Sequence, residues 1–247
     1  MLDSKTRRNF IKYFLALGFF GPLLVFLKRP FTFSSPTTRK GVAMILPKPT
    51  YDGKVSVEKA IKHRRTIRSY KPKALRLEDF SQILFAAQGI TDNGGFKRAA
   101  PSGGALYPLD VYAVVGKNCV DSLDPGVYHY LSSGHRLETI SNGDRRGLIA
   151  QAALEQMWMA HAPVNFVITA EYARICSKYG QRGVRYAIIE AGHVGQNIFL
   201  QAEALGLGAG IVGAFNDREI IRLMEIPSDH EPLLIMPVGY QKEFLDK

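Results

Sequence analysis

The longest regular pattern of apolar residues in this sequence lies within residues 181–205. Apolar residues recur there at alternating steps of four and three, at Val184, Ile188, Ala191, Gly195, Ile198, Ala202 and Leu205. This period predicts one helix with a continuous apolar face. A glycine inside a helix costs about 1 kcal/mol relative to alanine, so Gly192 and Gly195 indicate close approach of another backbone. Gly206 is predicted to end the helix.

Glycines follow this helix and lead into residues 211–215, which are predicted to form a short buried strand. Gly208, Gly210 and Gly213 match the dinucleotide-binding spacing G-x-G-x-x-G. That motif binds a pyrophosphate only in the order strand, glycine turn, helix. Here the order is reversed, and a Rossmann site is excluded. We call residues 206–214 the glycine exit.

The remaining periodicities predict an α+β fold. Further helices are predicted over residues 57–63, around the apolar positions 80–87, over 148–159 and over 217–224. Strands are predicted over residues 109–115, 126–131, 135–140, 164–170 and 233–238. The second and third of these strands form a hairpin through a Ser-Ser-Gly turn. Caps are predicted at Ser56, Gly89 and Asp217.

The N-terminal residues carry a different pattern. Residues 6–12, Thr-Arg-Arg-Asn-Phe-Ile-Lys, resemble the twin-arginine export signature. The apolar run that follows, Tyr13 to Leu27, has 15 residues, which fits a signal of about 7–15 residues better than a membrane span of about 17–25. The alternative is a plain anchor with a positive-inside flank. Residues 1–33 are therefore assigned as a signal or membrane anchor, with export favoured.

No A-x-A cleavage motif follows the apolar run, so an uncleaved segment that tethers the exported protein is also considered. Residues 34–50 contain Pro36, Pro47 and Pro49 among Ser, Thr and basic residues and are predicted to be an extended linker. The folded domain is assigned to residues 51–247.

Charge is distributed unevenly along the chain. The net charge is +10, and residues 1–40 hold eight Lys or Arg and one acid, which accounts for +7 of it. The domain is only mildly basic, so nucleic-acid binding is not expected. Cys119 and Cys176 have no zinc-type spacing and are interpreted as ordinary thiols, and no metal site is predicted.

Two segments carry candidate chemistry. Arg64, Arg65, Thr66 and Arg68, here called the cationic segment, place three guanidinium groups and a hydroxyl where they can bind a phosphate. A solvated basic turn is the alternative. Residues 101–108, here called the glycine loop, combine a serine with two glycines and can present backbone N–H groups to a ligand. An ordinary tight turn is the alternative, and the loop lacks the G-x-S-x-G frame of a nucleophile elbow.

Three stretches together resemble a known family. Residues 100–108 (APSGGALYP), 126–130 (GVYHY) and 190–197 (EAGHVGQN) are similar to the nitroreductase-like FMN flavoproteins, and more narrowly to their SagB-type, azoline dehydrogenase branch. The resemblance extends from about Val55 to Tyr240. It implies a central mixed or antiparallel sheet flanked by helices, and an intertwined homodimer with two FMN sites at the interface.

The resemblance also implies a set of cofactor-binding residues. Those on the FMN phosphate and the pyrimidine edge are Arg64, Arg65, Thr66 and Arg68. Those that approach the flavin from the partner subunit are Ser102, Gly103, Gly104 and Leu106. Those under the isoalloxazine, with a backbone N–H towards N5, are Gly213 and Ala214. Family members often supply another basic residue after the last strand, and Lys242 is the candidate for that position.

A catalytic pair is implied by the same resemblance. In the azoline-oxidising branch a Lys-Tyr pair is implicated in catalysis, and Lys178 and Tyr179 stand at the matching place. Ring oxidation requires removal of a proton as hydride leaves, and either side chain is chemically able to accept one. An equally favoured alternative is that Lys178 is an ordinary loop residue and that Tyr179 serves only in packing.

Three functions follow from these expectations. The first is an exported FMN-dependent oxidoreductase that transfers hydride between flavin and a small-molecule or peptidic substrate, with NAD(P)H or another donor. The second is an azoline (thiazoline or oxazoline) dehydrogenase of peptide modification. The third is a membrane-tethered flavin-binding protein without turnover. The twin-arginine machinery, which exports folded and cofactor-loaded proteins, is the expected export partner.

Overall fold

The computed structural model describes residues 43–242. The predicted signal, most of the predicted linker and the last five residues of the predicted domain lie outside this part of the chain. Within it, no helix is both long enough and apolar enough to cross a membrane.

A seven-stranded sheet forms the centre of the fold. Its strands are β1 (Met44–Ile45), β2 (Leu109–Val115), β3 (Gly126–Leu131), β4 (Arg136–Asn142), β5 (Val164–Ala170), β6 (Gly208–Ala209) and β7 (Glu231–Gly239). Their spatial order is β1-β4-β3-β2-β5-β7-β6, and every neighbouring pair is antiparallel. The predicted α+β class is confirmed, and the sheet is antiparallel throughout.

Six α-helices surround this sheet in the described residues. They are α1 (Val57–His63), α2 (Leu77–Gln88), α3 (Arg146–Ala152), α4 (Tyr172–Tyr179), α5 (Arg182–Ala204) and α6 (Asp217–Met224). Short 3₁₀ turns cover Gly103–Ala105 and Met157–His161. Helix α4 was not predicted from the sequence.

The side chains of β2 alternate between two cores, because successive residues of a strand point to opposite faces. Leu109, Val111 and Ala113 belong to the larger core, which also contains the buried faces of α2 and α5. Tyr112 and Val114 belong to the smaller core with residues of α3 and α6. The sheet is therefore covered by helices on both faces.

Helix α5 packs its small residues against its own sheet. A Cβ added at Gly195 would lie 3.4 Å from Leu234 Cδ1 and 3.4 Å from Met236 Sδ, both on β7. The predicted apolar face of α5 is thus covered by the sheet of the same chain. Its member Ile188 is the exception, because it is 53% exposed, beside Ile189 at 47%.

The end of α5 is as predicted. Gly206 has a φ of +70°, a conformation that glycine adopts without steric cost. Its N–H donates to Glu203 O (3.0 Å), and the N–H of Leu207 donates to Ala202 O (2.8 Å). These are the two bonds of a Schellman motif.

The predicted strand over residues 211–215 is wrong. The strand is Gly208–Ala209, and beyond it only Val212 pairs with β7, at Ile235. Gly210 donates its N–H to Pro237 O (2.8 Å), but proline has no N–H to return a bond. The ladder is therefore interrupted, and Gly213 and Ala214 are exposed.

The predicted cap at Gly89 is confirmed, and two smaller expectations need correction. The helix predicted over residues 148–159 is interrupted after Ala152, because Leu154 and Glu155 adopt left-handed φ values of 54° and 57°. The N-cap of α6 is Asn216, whose side chain accepts from the N–H of Glu219, rather than Asp217. Gly89 ends α2 with a φ of −62°, which any residue can adopt, so a left-handed conformation is not the reason for glycine here. Glycine is needed because an added Cβ would lie 2.2 Å from the Phe85 ring.

Candidate functional site

The structure joins the cationic segment to the glycine exit. Thr66 pairs in parallel with Ala209, and Ile67 donates its N–H to Ala209 O at 2.8 Å. A Cβ on Gly208 would lie 2.8 Å from Ile67 Cγ1, and one on Gly210 would lie 2.8 Å from Ile67 O. Glycine is therefore required for this close approach, which holds the cationic segment against residues 208–210, the part of the glycine exit that leads to the exposed Gly213 and Ala214.

The guanidinium groups of this segment have no acidic partners in the described residues. Arg64 lies 5.0 Å from the centroid of the Phe199 ring and Arg68 lies 5.8 Å from that of Trp158. Arg65 donates to the carbonyls of Lys62 and Arg64 at 2.9 Å each, at the end of α1. No carboxylate within residues 43–242 forms an ion pair with any of the three.

Lys242 lies next to this group of cations. Its N–H donates to Ser69 O at 3.1 Å, and Gln241 pairs with Tyr70. The end of the described chain therefore runs beside the cationic segment, through the backbone of Gln241 and Lys242. Together these residues can hold a dianionic phosphate through charge-assisted hydrogen bonds.

The glycine loop packs against the candidate catalytic pair. Gly104 has a φ of +66°, and a Cβ there would lie 2.7 Å from Tyr179 Oη and 3.2 Å from Lys178 Nζ. Ser102 Oγ accepts from the N–H of Tyr107 at 2.9 Å and so closes the loop, while Leu106 is partly buried against the larger core.

Lys178 and Tyr179 occupy the last turn of α4. Lys178 Nζ lies 5.4 Å from the centroid of the Tyr179 ring, and that ring meets Tyr186 of α5 edge-on at 5.2 Å. Lys178 is exposed and Tyr179 is half-buried. An ammonium group and a phenol are thus presented together beside a loop whose backbone is open to a ligand.

The cationic segment and the glycine loop lie at different ends of α5. Arg64 contacts Phe199, whereas a Cβ on Gly103 would lie 3.6 Å from Tyr186. These two helix positions are three and a half turns apart, which is roughly 20 Å along the axis. One chain therefore carries two separate groups of candidate ligand-binding residues.

Glu190 lies in one of the stretches that carry the family resemblance, residues 190–197, and no role was predicted for it from the sequence. Its side chain is 1% exposed and shares a small pocket with the glycine loop. Burial raises the pKa of Glu190, against hydrogen bonds from Ser102 and Gln88 and the charge of Arg98. The Oε2 atom is buried without a hydrogen-bond partner among residues 43–242. An acidic residue between Ala187 and Ala191 on a buried helix face was the available signal.

A second unpredicted cluster surrounds Asp110. His129 Nε2 lies 2.9 Å from its Oδ1, and Arg174 Nη2 lies 2.8 Å from its Oδ2 and 2.6 Å from Glu171 Oε2. Burial alone would raise the pKa of Asp110, but the hydrogen bond from His129 and the charge of Arg174 hold it below its usual value. The network ties α4 to the start of β2.

This cluster has the geometry of a metal site. Ligand atoms of Asp110, Glu171 and His230 all lie within 4.8 Å of one another. However, the Arg174 guanidinium lies against the same two carboxylate oxygens that a metal would use. The cluster therefore contains its own cation and acts as a structural anchor for α4.

Comparisons with known proteins agree with this architecture. A crystal structure of a nitroreductase-like protein from Ralstonia eutropha JMP134 superposes with a TM-score of 0.70 at 26% identity, covering 84% of this chain and 95% of that one. The nitroreductase-like protein MJ1384 of Methanocaldococcus jannaschii is 43% identical over 189 residues, which are 76% of this chain and 93% of the relative.

A more distant relative has a named role. The microcin B17-processing protein McbC of Escherichia coli is 29% identical over 157 residues, which are 62% of this chain and 57% of McbC. The model of the family described as "Nitroreductase family" matches residues 61–240, a range that includes the cationic segment, the glycine loop, α4, α5 and the glycine exit. The chain belongs to the nitroreductase family.

Proposed function

We propose that this chain is an FMN-dependent oxidoreductase that transfers hydride between the flavin and a small-molecule or peptidic substrate. The observation that carries the proposal is the contact between the cationic segment and the glycine exit, in which Thr66 pairs with Ala209 and Ile67 donates its N–H to Ala209 O. This contact holds a segment with three arginines, which have no acidic partners in residues 43–242, against the strand that leads to the exposed Gly213 and Ala214.

The residues of the cationic segment and the glycine exit suit a ligand with one terminal phosphate and a flat ring. Arg64, Arg65, Arg68 and Lys242 supply positive charge, and Thr66 supplies a hydroxyl. Gly213 is exposed, and a Cβ there would meet nothing within 4 Å, so a planar group can approach the backbone of residues 213–214. When bound, FMN supplies the hydride-transfer chemistry, and the protein supplies charge, orientation and exclusion of water.

The separation of the two groups along α5 supports a site built from two chains. Arg64 and Gly103 contact positions of α5 that are roughly 20 Å apart, so a ligand held by both groups takes one of them from a second copy. The outer face of α5 offers exposed Ile188, Ile189 and Gly192 for such a contact. We infer a homodimer on this face.

The roles of Lys178 and Tyr179 follow from their place beside Gly104. Oxidation of an azoline to an azole turns a ring C–C single bond into a double bond: one carbon gives a hydride to the bound flavin, and its neighbour gives up a proton that Lys178 Nζ or Tyr179 Oη would accept in its deprotonated form. The pair acts as the proton acceptor for a substrate bound against the glycine loop.

A narrower function is azoline dehydrogenation in peptide modification. Two observations favour it: the relationship to the microcin-processing protein McbC, and the contact of both Lys178 and Tyr179 with the glycine loop. A flavin-binding protein without turnover is the third candidate, and it requires no proton acceptor at this position.

Spectroscopy of the purified full-length protein distinguishes these functions. A yellow protein whose visible absorbance is bleached by NAD(P)H or dithionite, and restored by an acceptor with multiple turnovers, is the expected result. Bleaching without turnover on any acceptor supports the binding protein. Oxidation of a thiazoline-containing peptide, faster than reduction of general acceptors, supports the azoline dehydrogenase.

A further inference from the structure

A pocket opens where β2 and β3 separate. The two strands pair only from Tyr112↔His129 to Val115↔Gly126. Beyond this point, Leu109–Val111 pair only with β5, and Tyr130 and Leu131 pair only with β4. The space between the diverging strands is a cavity of about 210 Å³ that is open to solvent. It lies outside the cationic segment and the glycine exit.

Positive charge dominates the lining of this pocket. Arg98, Arg136 and Arg174 contribute guanidinium groups, and Asp110 contributes the one carboxylate. Asp110 is already engaged by His129 and Arg174, and Arg174 is also paired with Glu171. No carboxylate in residues 43–242 forms an ion pair with Arg98 or Arg136. The guanidinium groups of Arg98 and Arg136 are therefore available to bind an anionic ligand.

Arg98 is held in place and partly desolvated. Its guanidinium lies 4.3 Å from the centroid of the Tyr107 ring, and its Nη1 donates to Gln88 Oε1 at 3.3 Å. Its Nε is buried without a hydrogen-bond partner in the described part of the chain. Burial lowers the pKa of Arg98, against the nearby charges of Asp110 and Glu190. A half-buried guanidinium gains more from an added anion than a fully exposed one does, because less water screens the charge between them.

The pocket lies next to the candidate catalytic pair. Arg174 and Lys178 are one turn apart on α4, roughly 6 Å along its axis. Arg174 Nη1 also donates to Tyr107 O at 3.4 Å, and Tyr107 belongs to the glycine loop, whose Gly104 lies against Tyr179. A ligand anchored in the pocket can therefore extend along the glycine loop to Lys178 and Tyr179.

We propose that this pocket binds the carboxylate of a small organic-acid substrate, with Arg98 and Arg136 as the residues that recognise it. The assignment deepens the proposed oxidoreductase function and rests on it for the reacting end of the ligand. Arg136, at the start of β4, meets the carboxylate at the mouth of the pocket, and Arg98 meets it inside. The neutral amide of the same acid gains no comparable charge-assisted bonds.

The test uses 4-nitrobenzoate and its neutral amide, 4-nitrobenzamide, as matched probes. Isothermal titration of the full-length protein with its bound flavin, in phosphate-free buffer, is expected to show at least about tenfold tighter binding of the acid. Arg136→Gln and Arg98→Gln are each expected to remove most of this preference. Arg222→Gln, at an arginine whose side chain is 70% exposed on α6, is the matched control and retains it.

Equal binding of acid and amide by the wild type overturns the proposal, as does a preference that persists in Arg136→Gln. Arg136 is exposed, so its replacement tests the pocket even if Arg98→Gln does not fold. Steady-state reduction of both probes is measured in parallel. Selective binding of the acid without reduction of either probe supports the carboxylate pocket and counts against the oxidoreductase function. Reduction of the probes without selective binding supports the oxidoreductase function and overturns the carboxylate pocket.

Discussion

Lys178 and Tyr179 reach the glycine loop because Gly104 has no side chain. Any larger residue at this left-handed position would meet Tyr179 Oη at 2.7 Å. The proposed proton acceptors are thus fixed by contacts between two segments that lie about 70 residues apart in the sequence. Their arrangement does not depend on the cationic segment, which lies at the other end of α5.

This independence predicts how the pair responds to substitution. Lys178→Ala and Tyr179→Phe should each slow hydride transfer by about 10²–10⁴-fold, the usual contribution of a general base. Flavin content and Tm should stay near wild type, because neither side chain is among the residues proposed to bind FMN. Rapid-reaction measurements of flavin reduction and reoxidation, with flavin content determined alongside, provide the readout. Wild-type rates in both variants would make the pair structural.

Glu190 predicts a pH dependence of stability. Its folded-state pKa is raised by burial, so its contribution to stability is fully present below the unfolded-state pKa of about 4.3 and is lost as pH rises through the folded pKa. Glu190→Gln removes this titration. The Tm of the variant relative to wild type should therefore increase from pH 4 towards neutrality.

Thermal melts at several pH values test this expectation. Glu219→Gln, at a surface position with a 46% exposed side chain, is the control and should run parallel to wild type. A constant difference in Tm between Glu190→Gln and wild type, from pH 4 to 8, would show that Glu190 does not titrate with folding.

At the scale of elements, one face of α5 packs against the sheet of its own chain and the opposite face is exposed. Ile189→Asp should therefore abolish the dimer and leave the Tm of the subunit nearly unchanged. Gly195→Leu should instead destabilise the subunit by about 1–3 kcal/mol, the usual cost of overpacking, because its side chain would enter the contact with Leu234 and Met236.

Light scattering and thermal melts separate these outcomes. Leu148→Asp, at a residue that is 48% exposed on α3, is the control for adding a charge to an exposed apolar position and should remain dimeric. A stable dimer in Ile189→Asp would place the interface elsewhere. A monomeric wild type with full flavin content would refute the two-chain site.

Elements with local signals could be predicted from the sequence, whereas those set by distant partners could not. Helix α1 spans the predicted residues 57–63 behind the cap at Ser56, and β2 and β5 have the predicted bounds. The segment 211–215 fails as a strand because only Val212 in it pairs with β7, at Ile235, and the apolar pattern does not specify that pairing. The exposure of Ile188 depends on which neighbours cover α5, which periodicity does not specify.

The same distinction applies to the candidate site. The cationic segment and the glycine loop are short, unusual stretches of sequence, so the sequence alone indicates them. The clusters around Glu190 and Asp110 each combine residues from several elements, such as Asp110 of β2 with Arg174 of α4. No local pattern marks such a cluster, and only the fold brings its members together.

At the scale of the whole molecule, the segment outside the described residues is proposed to direct export. Replacing both Arg7 and Arg8 with lysine should leave the protein on the cytoplasmic side, because the twin-arginine machinery reads the pair and not its charge alone. Arg29→Lys keeps the pair and is the matched control. Cell fractionation decides between export and a simple anchor, for which the double variant would keep its wild-type location.

The central claim is that the two groups of residues at the ends of α5 build an FMN site. Mass spectrometry of the ligand released from the purified full-length protein tests it most directly. We predict FMN at about one molecule per chain, and in Arg64→Ala an affinity reduced about 10–100-fold by the loss of charge-assisted hydrogen bonds. FAD, or a folded protein without any flavin that also fails to bind added FMN, would contradict the account.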